Sequence, residues 1–412
     1  MQNTPKGLRL HIGIFGRRNV GKSSILNALT HQTVSIVSDQ KGTTTDPVEK
    51  PMELLPLGPV LFIDTAGLDD EGLLGDLRIE RTRAVFGRCD LALLVTDGTW
   101  SEHEASIQSE LSERQIPWIA VLNHADKTDY SRLMQELSEQ KVECVQTSAP
   151  SGSGIEDLLQ AIIRIAPADF LDSRQLIGDI IKPNDHVLLV IPIDKEAPKG
   201  RLIMPQVQTI RDILDTHAVC SICKEDQVSA MLGRFKEPPV LVVTDSQAFG
   251  TVSPQVPASI HLTGFSVLFA RFKGDLTTMA RGAAMIGRLQ PGDRILIAEA
   301  CTHHPIQDDI GRVKIPGWLR KTVGDLVQID VISGAAFPDD LTPYRLIIHC
   351  GACMWTRRQM LSRVRQAAAQ GVAITNYGLA IAAMHGILDR ALEPFPEALE
   401  AWNDSVGAVS RI

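Results

Sequence analysis

The stretch GRRNVGKS at residues 16–23 decides the fold of the first part of this chain. It matches the pattern G-x-x-x-x-G-K-S and lies between an apolar run at 8–15 and a segment of helical spacing at 24–29. The loop of such a strand–loop–helix unit directs backbone N–H groups and a helix N-terminus at phosphate groups. The stretch therefore predicts a P-loop α/β domain that binds a nucleotide.

Individual residues of this loop have distinct predicted tasks. Lys22 is expected to reach the β- and γ-phosphates, and Ser23 is expected to bind Mg²⁺. Gly16 and Gly21 let the backbone approach the ligand more closely than a Cβ would permit. The other candidate nucleotide-binding residues of this segment are Asn19 and Ser24.

Two further motifs follow in the order that a GTPase needs. Asp64 ends a predicted strand at 60–63 and can hold Mg²⁺ through a water molecule, and the N–H of Gly67 can contact the γ-phosphate. Thr44, in the polar loop Gly-Thr-Thr-Thr-Asp, is the candidate residue that senses Mg²⁺. Together with Lys22, these three residues are the candidate catalytic residues.

The motif Asn-His-Ala-Asp and a later Ser-Ala pair select guanine over adenine. Asn123 and Asp126 follow a predicted strand, and the carboxylate of Asp126 can accept both N–H donors that only guanine offers. Ser148 and Ala149 follow another short strand and are expected to close the base pocket with backbone groups. His124 replaces the usual lysine of this motif. We therefore expect weaker binding of GTP with unchanged specificity, because specificity depends on Asp126.

This segment resembles the GTPases of the MnmE and Era group, which share the Gly-x-Thr-x-Asp switch and the P-loop asparagine, here Asn19. In the MnmE branch that asparagine helps to bind K⁺, which substitutes for an arginine finger, and dimerisation orders the switch. The resemblance implies slow GTP hydrolysis that K⁺ stimulates. Leu68 stands where Ras-like proteins have a water-orienting glutamine, so no residue of that type is assigned.

Three cysteines in the C-terminal part have the spacing of a metal site. Cys301 occurs in Cys-Thr-His, and Cys350 and Cys353 occur in His-Cys-Gly-Ala-Cys. They follow predicted strands at 294–298 and 345–349, and open parallel sheets bind ligands at the carboxyl ends of their strands. Three thiolates near histidines suit either zinc or an iron–sulfur cluster, and they leave one coordination position for exchange.

A GTPase with Cys-x-His and a later His-Cys-x-x-Cys resembles the HydF family of [FeFe]-hydrogenase maturation factors over the whole chain. The resemblance implies a [4Fe–4S] cluster on Cys301, Cys350 and Cys353. It also implies a scaffold that receives a transient diiron subcluster from HydE-like and HydG-like radical enzymes and delivers it to apo-[FeFe]-hydrogenase. A homodimer formed through a central α/β domain is implied in the same way.

The fourth ligand of the cluster is left open among His303, His349 and Asp308.

Two other classes of function compete with the scaffold. One is an Era-type GTPase switch with a structural zinc site that acts in RNA or ribosome biology. The other is a redox enzyme that acts through Cys220 and Cys223.

Composition excludes several classes of partner. A net charge of −8 argues against a nucleic-acid partner that needs a broad basic surface. No apolar run reaches the roughly 18 residues that span a bilayer, so no membrane partner is expected. The polar N-terminus predicts no signal peptide, and the seven cysteines, an odd number, suit a reducing compartment. We expect a cytoplasmic protein.

The expected fold class is α/β, with an N-terminal P-loop GTPase domain followed by two smaller α/β domains with mainly parallel sheets. We expect a G domain at 1–168, a dimerisation domain at 180–265 and a cluster-binding domain at 266–412. The apolar runs that predict strands in the second and third domains are 186–193, 240–243, 266–269, 294–298, 326–332, 345–349 and 372–375. The segments that predict their main helices are 205–217 and 356–370.

Overall fold

The computed structural model describes residues 4–30, 48–65, 85–167, 170, 175–193, 202–300, 309–324, 326–334 and 337–407. Its chain divides into two compact units, Met1–Arg174 and Gln175–Ile412. Five of the predicted site residues lie outside the described residues, namely Thr44, Gly67, Cys301, His303 and Asp308.

The first unit contains a six-stranded sheet in the order β2-β3-β1-β4-β5-β6. Its strands are β1 (Leu10–Phe15), β2 (Val48–Leu54), β3 (Gly58–Asp64), β4 (Leu91–Thr96), β5 (Trp118–Leu122) and β6 (Glu143–Gln146). All pairs are parallel except β2 with β3. Its helices are α1 (Lys22–Thr30), α2 (Glu102–Glu113), α3 (Ser131–Glu139) and α4 (Ile155–Ile165).

The parallel strands of this sheet are buried on both faces, which explains their unbroken apolar sequences. Every residue of β1 and of β4 is buried. One face carries a core that includes Ile12 and Leu158, and the other carries a core in which Phe15 stacks on Phe86 with ring centroids 4.4 Å apart. The expected P-loop domain is therefore confirmed as a doubly covered α/β sheet. In β2 only Lys50 and Leu54 are buried, and its polar sequence did not predict a strand.

The second unit contains two four-stranded sheets that are wholly parallel. The first, in the order β10-β9-β7-β8, consists of β7 (His186–Val190), β8 (Val219–Cys223), β9 (Leu241–Thr244) and β10 (His261–Gly264). The second, in the order β12-β11-β13-β14, consists of β11 (Arg294–Glu299), β12 (Gln328–Ser333), β13 (Leu346–His349) and β14 (Ala373–Asn376). One hydrophobic core includes residues of both sheets, such as Val187 and Ile347. The expected division of this part of the chain at residue 266 stays a prediction.

Helices pack on both of these sheets. The helices of the second unit are α5 (Met204–Asp215), α6 (Val228–Leu232), α7 (Phe249–Val252), α8 (Phe265–Lys273), α9 (Leu276–Ala284), α10 (Ile315–Val323), α11 (Arg357–Ala369), α12 (Tyr377–Met384), α13 (Leu388–Leu392) and α14 (Pro396–Gly407). Thr356 caps α11 through a capping box with Gln359. No helix in the described ranges has the length and hydropathy needed to cross a bilayer.

The strand predicted at 266–269 is wrong, because these residues lie inside helix α8. The strand ends just before them, at Gly264. A short apolar run cannot distinguish a buried strand from a buried helix by periodicity. Here the helix is enclosed on nearly all sides, so Val267, Leu268 and Phe269 are all buried and no polar stripe marks its period.

Candidate functional site

The nucleotide loop has two glycines where no other residue fits. Gly16 has φ +134° and Gly21 has φ +94°. A Cβ on Gly16 would lie 2.2 Å from the carbonyl oxygen of Val95, and a Cβ on Gly21 would lie 2.2 Å from Nδ2 of Asn123. The loop is therefore packed tightly against the ends of β4 and β5, as its sequence pattern predicts.

The ammonium group of Lys22 lies against the start of this loop. Its side chain is almost fully buried, and Nζ donates to the carbonyl oxygens of Gly16 and Arg17, each at 2.7 Å. Lys22 is also the first residue of α1, where the helix N-terminus favours a negative charge. The ammonium group of Lys22 and the N-terminus of α1 together form a site for an anionic phosphate.

Ser23 and Asp64 form the predicted Mg²⁺ pair. The Ser23 hydroxyl donates to Oδ2 of Asp64 at 2.7 Å. Oδ1 of Asp64 is buried and has no hydrogen-bond partner among the described residues. Burial is the largest influence on the Asp64 carboxyl and raises its pKa, against the opposing effects of Ser23, Lys22 and Lys50. A buried carboxylate with an unpartnered oxygen beside a hydroxyl fits the oxygen ligands of a hydrated Mg²⁺.

Two charged residues near the loop were missed by the sequence analysis. Lys50 of β2 is buried, donates to Oδ1 of Asn27 at 3.0 Å, and has its pKa lowered by burial. Arg17 donates from Nε to Glu104 at 2.7 Å and from Nη2 to Asp97 at 2.8 Å. Arg17 thereby ties the loop to α2. Arg17 occupies a variable position of the P-loop pattern and Lys50 lies outside it, and their partners are distant in sequence.

The residues predicted to recognise guanine lie together at the ends of β5 and β6. Asn123 is fully buried and donates from Nδ2 to the carbonyl oxygen of Val20 at 3.0 Å, and its Oδ1 accepts from the N–H of Ala149 at 3.4 Å. The neighbouring Ser148 hydroxyl lowers the pKa of the exposed Asp126 carboxyl. His124 has φ +65°. Asn123 thus joins the phosphate loop to the base loop.

In the second unit, Cys350 and Cys353 lie at the carboxyl edge of the second sheet, directly after β13. The N–H of Ala300 donates to Sγ of Cys350 at 3.0 Å, and the N–H of Cys350 donates to the carbonyl oxygen of Ala298 at 2.8 Å. The chain therefore enters segment 301–308 from beside the Cys350 sulfur. That placement fits a shared site for all three predicted thiols.

The turn between the two cysteines is made at Ala352. Ala352 has φ +48°, whereas the neighbouring Gly351 is not left-handed. Left-handed backbone at a residue with a Cβ is uncommon and strained, and such strain concentrates at functional sites. Ala352 is buried, so packing holds it in this conformation.

Both ring nitrogens of His349 are engaged in contacts within the protein. Its Nε2 lies 2.9 Å from Nη1 of Arg363, and its Nδ1 lies 2.8 Å from the carbonyl oxygen of Cys350. Because arginine can only donate, Nε2 must accept and Nδ1 must carry the proton. Burial, with a further effect from Arg363, lowers the pKa of His349 to about 3. These contacts leave neither nitrogen for a metal and argue against His349 as the fourth ligand.

Two buried cations border residues 350–355, here called the cysteine loop, and the sequence analysis missed both. Lys273 donates to the carbonyl oxygen of Trp355 at 2.8 Å, and the guanidinium carbon of Arg363 lies 4.2 Å from the centroid of a Trp355 ring. Burial raises the pKa of the Cys353 thiol, and Lys273 acts against that rise. The sequence could have indicated that Arg363 is buried, because Arg363 shares the buried face of α11 with the apolar residues Met360 and Val364. Nearby cations stabilise thiolates, which are the form that binds iron.

The donor set fits an iron–sulfur cluster as far as the structure describes it. Two of the three predicted thiols are half-buried on one loop, beside cations and an N–H donor. The described ranges contain no group of three or more His, Cys, Asp or Glu residues placed to hold a metal ion. Cys301, the third predicted ligand, lies outside those ranges.

Cys220 and Cys223 do not form a redox pair. Both belong to β8, in which residues three apart point to opposite faces and lie roughly 10 Å apart. A disulfide needs Cα atoms closer than about 7 Å.

The other cysteines outside the loop have local contacts. Cys89 is buried and accepts from the N–H of Gly13 at 3.3 Å, and burial raises the pKa of Cys144 to about 11.

Sequence models of three domain families match this chain. The hydrogen maturase F dimerization domain matches residues 176–274, and the hydrogen maturase F tetramerization domain matches residues 277–394. A model described as a 50S ribosome-binding GTPase matches residues 11–124. The two maturase models together cover more than half of the chain.

Relatives of known name share the GTPase part. The tRNA modification GTPase MnmE of Alkaliphilus metalliredigens is 32% identical over 169 residues, which are 40% of this chain and 36% of that protein. MnmE of Parasynechococcus marenigrum is 37% identical over 157 residues, which are 37% of this chain and 33% of that protein. The chain thus spans about a third of the length of these relatives.

A crystal structure of Era from Aquifex aeolicus bound to GDP and AlF4− is 23% identical, with a TM-score of 0.35, and covers 60% of this chain and 97% of that chain. The family match and the named relatives identify the N-terminal unit as a GTPase domain of the MnmE and Era type.

Proposed function

We propose, on the premise that this chain belongs to the hydrogen maturase F family, that it is a GTP-binding scaffold for hydrogenase maturation. In this proposal Cys301, Cys350 and Cys353 hold a [4Fe–4S] cluster with an exchangeable fourth position. The protein hosts a diiron subcluster precursor as its cargo and transfers it to apo-[FeFe]-hydrogenase. HydE-like and HydG-like radical enzymes supply the cargo.

The observation that carries this proposal is the contact between Ala300 and Cys350. The N–H of Ala300 lies 3.0 Å from the Cys350 sulfur, and Cys301 is the next residue of the chain. Backbone N–H groups that donate to cysteine sulfur stabilise the thiolate. Cys350, Cys353 and Ala300, the residue before Cys301, therefore lie at one edge of the sheet, where open α/β sheets bind their ligands.

The fourth position is best filled by an exchangeable group. Since both nitrogens of His349 are engaged, His303 and Asp308 remain the candidates within this chain. A weak ligand suits a scaffold, because a labile coordination position lets cargo or partner groups replace it.

In the GTPase domain, Lys22 binds the β- and γ-phosphates, and Ser23, Thr44 and Asp64 bind Mg²⁺. Asp126 recognises guanine. Asn19, which has φ +64°, lies at the tip of the loop and helps to bind K⁺, as in the MnmE branch. Hydrolysis is slow, because G domains without assistance turn over at roughly 10⁻⁴ to 10⁻² s⁻¹.

The test is in vitro activation of a metal-deficient [FeFe]-hydrogenase by this protein. The protein is purified anaerobically, reconstituted with iron and sulfide and then loaded with the diiron unit. We expect a brown protein with bound iron and sulfide that activates the hydrogenase. A colourless protein that binds zinc and activates nothing would contradict the scaffold and support an Era-type switch with a structural zinc site.

A homodimer forms, in this proposal, through the edge of the first sheet of the second unit. Within the described residues β8 pairs with one strand only, β7. Its Val219 and Ile222 are 54% and 48% exposed, and on the adjacent helix α5 Val207 and Leu214 are 49% and 55% exposed. An exposed apolar edge strand invites pairing with another chain. A second copy is the fitting occupant, because this surface lies within the residues that match a dimerization domain.

Ile222→Lys is expected to weaken this dimer by on the order of 100-fold, because it buries an unpaired ammonium at the interface. Light scattering coupled to size-exclusion chromatography measures the change from dimer to monomer. The matched control is Val406→Lys, which puts the same charge at an exposed apolar residue on α14. A dimer that persists in Ile222→Lys and dissociates in the control would refute this interface.

A further inference from the structure

The hydroxyl of Tyr377 is buried, and it has no hydrogen-bond partner among the described residues. Buried polar groups are almost always hydrogen-bonded, because leaving one unpaired costs stability. An orphaned hydroxyl next to a predicted metal loop therefore calls for a partner that the residues described by the structure do not supply.

The sheet register places Tyr377 beside Cys350. His349 of β13 pairs with Asn376 of β14, and Cys350 and Tyr377 are the next residues of the two neighbouring strands. Asn376 fixes this turn, since its Oδ1 accepts from the N–H of Leu379 at 2.8 Å and its Nδ2 donates to the carbonyl oxygen of Ser266 at 2.9 Å.

The phenol extends from β14 towards β11, across the carboxyl end of β13. A Cβ on Gly311 would lie 2.1 Å from Oη of Tyr377 and 2.8 Å from Oε1 of Glu299, the last residue of β11. Because β13 lies between β14 and β11, a side chain that spans these two strands passes the residue after β13, which is Cys350. Glycine at 311 is what leaves room for the hydroxyl.

The carboxylates nearest to this hydroxyl already have donors. Oε2 of Glu299 accepts from Ser333 at 2.7 Å and from Arg312 at 3.1 Å, and Asp309 accepts from the N–H of Arg312 at 2.8 Å. Burial, assisted by Cys350 and both carboxylates, raises the pKa of Tyr377. The phenol therefore keeps its proton and can act only as a neutral donor or acceptor.

We propose that the Tyr377 hydroxyl donates a hydrogen bond to the Cys350 sulfur when Cys350 is a ligand of the iron–sulfur cluster. A thiolate bound to iron is a stronger acceptor than a thiol, so binding of the cluster supplies the missing partner. Tyr377 is then a positioning residue of the cluster. Hydrogen bonds to the sulfurs stabilise the more negative, reduced form and raise the reduction potential. This inference rests on the proposed cluster site.

The test compares Tyr377→Phe with Tyr344→Phe in the full-length protein after anaerobic reconstitution. Tyr344 is a matched control, because it lies just before β13 at the opposite edge of the same sheet. Iron content, the melting temperature without cluster, the electron paramagnetic resonance spectrum of the reduced cluster and its midpoint potential are measured. We expect Tyr377→Phe to keep its iron and its melting temperature, to shift the potential to a more negative value and to change the spectrum, while Tyr344→Phe matches the wild type.

An unchanged potential and spectrum in Tyr377→Phe would overturn the inference while leaving the cluster site intact. Loss of all iron from Tyr377→Phe would also overturn it, in favour of a structural role. If the wild type bound no iron, the proposed function would fail, and the hydrogen bond with it. Should Tyr377→Phe fail to fold, Gly311→Ala keeps the phenol but pushes its hydroxyl aside, and the same negative shift is expected. An unshifted potential in Gly311→Ala would then count against the proposal.

Discussion

Cys350→Ala is expected to reduce bound iron and sulfide to background and to abolish activation of apo-hydrogenase. The Cys350 sulfur is the best-placed ligand of the candidate site, because it accepts an N–H bond from Ala300, the residue before Cys301. Removing one of three thiolates leaves two thiolates and at most one weak ligand, too few to hold a cluster against loss to solvent. Iron and sulfide assays and the hydrogenase activation assay measure the effect.

The matched control for this change is Cys220→Ala. Cys220 is also a half-buried thiol of the second unit, but it lies on β8 and has no place in the cysteine loop. The control should keep full iron content and full activation. If Cys350→Ala still activated the hydrogenase, the assignment of the cluster to this loop would be untenable. GTP hydrolysis should be unchanged in both variants, because the nucleotide loop belongs to the other compact unit.

The sequence predicted the first unit well because its signals are local. A P-loop combines a strand, a glycine turn and a helix within a few residues, and its glycines are required by contacts at Val95 and Asn123. Long apolar runs such as β1 and β4 indicated buried parallel strands directly. The exception was β2, an antiparallel edge strand whose polar sequence carries no such run.

In the second unit the sequence located the cysteines but not their surroundings. Lys273 and Trp355 are far apart in sequence, and only the register of β13 and β14 places Tyr377 next to Cys350 at the end of the sheet. Such contacts follow from the pairing of strands, which spacing alone does not reveal. His349 shows the same limit, since only its contacts with Arg363 and with the carbonyl oxygen of Cys350 reveal that its ring nitrogens are engaged.

The surroundings of the cysteine loop refine the proposal that the cluster is exchangeable. Arg363 and Lys273 are buried cations, and each makes a contact with Trp355 of this loop. Buried cations offset the negative charge of several thiolates and so stabilise the loaded loop. Rigid support for two thiolates and an open fourth position are compatible, because the cations contact Trp355, whereas the exchange would take place at the iron.

Lys22→Ala is expected to lower GTP hydrolysis by on the order of 100-fold or more, because it removes the ammonium that is proposed to bind the phosphates. In the structure this ammonium is held by the carbonyl oxygens of Gly16 and Arg17, at the N-terminus of α1. Phosphate release and equilibrium binding of GTP measure the loss. The control is Arg132→Ala, which removes a cation that is 94% exposed on α3 of the same unit.

Lys22→Ala should keep its full content of iron, since Cys350 and Cys353 belong to the other unit. Together with Cys350→Ala, it separates two possible uses of GTP. If loaded Lys22→Ala delivers its cargo at the wild-type rate, GTP serves partner exchange or timing and not the transfer itself. If delivery falls with hydrolysis, GTP turnover is coupled to the transfer of cargo. A GTP affinity that differs between the loaded and the empty protein would show that this coupling extends to binding. Hydrolysis at the wild-type rate in Lys22→Ala would refute the assignment of the nucleotide loop.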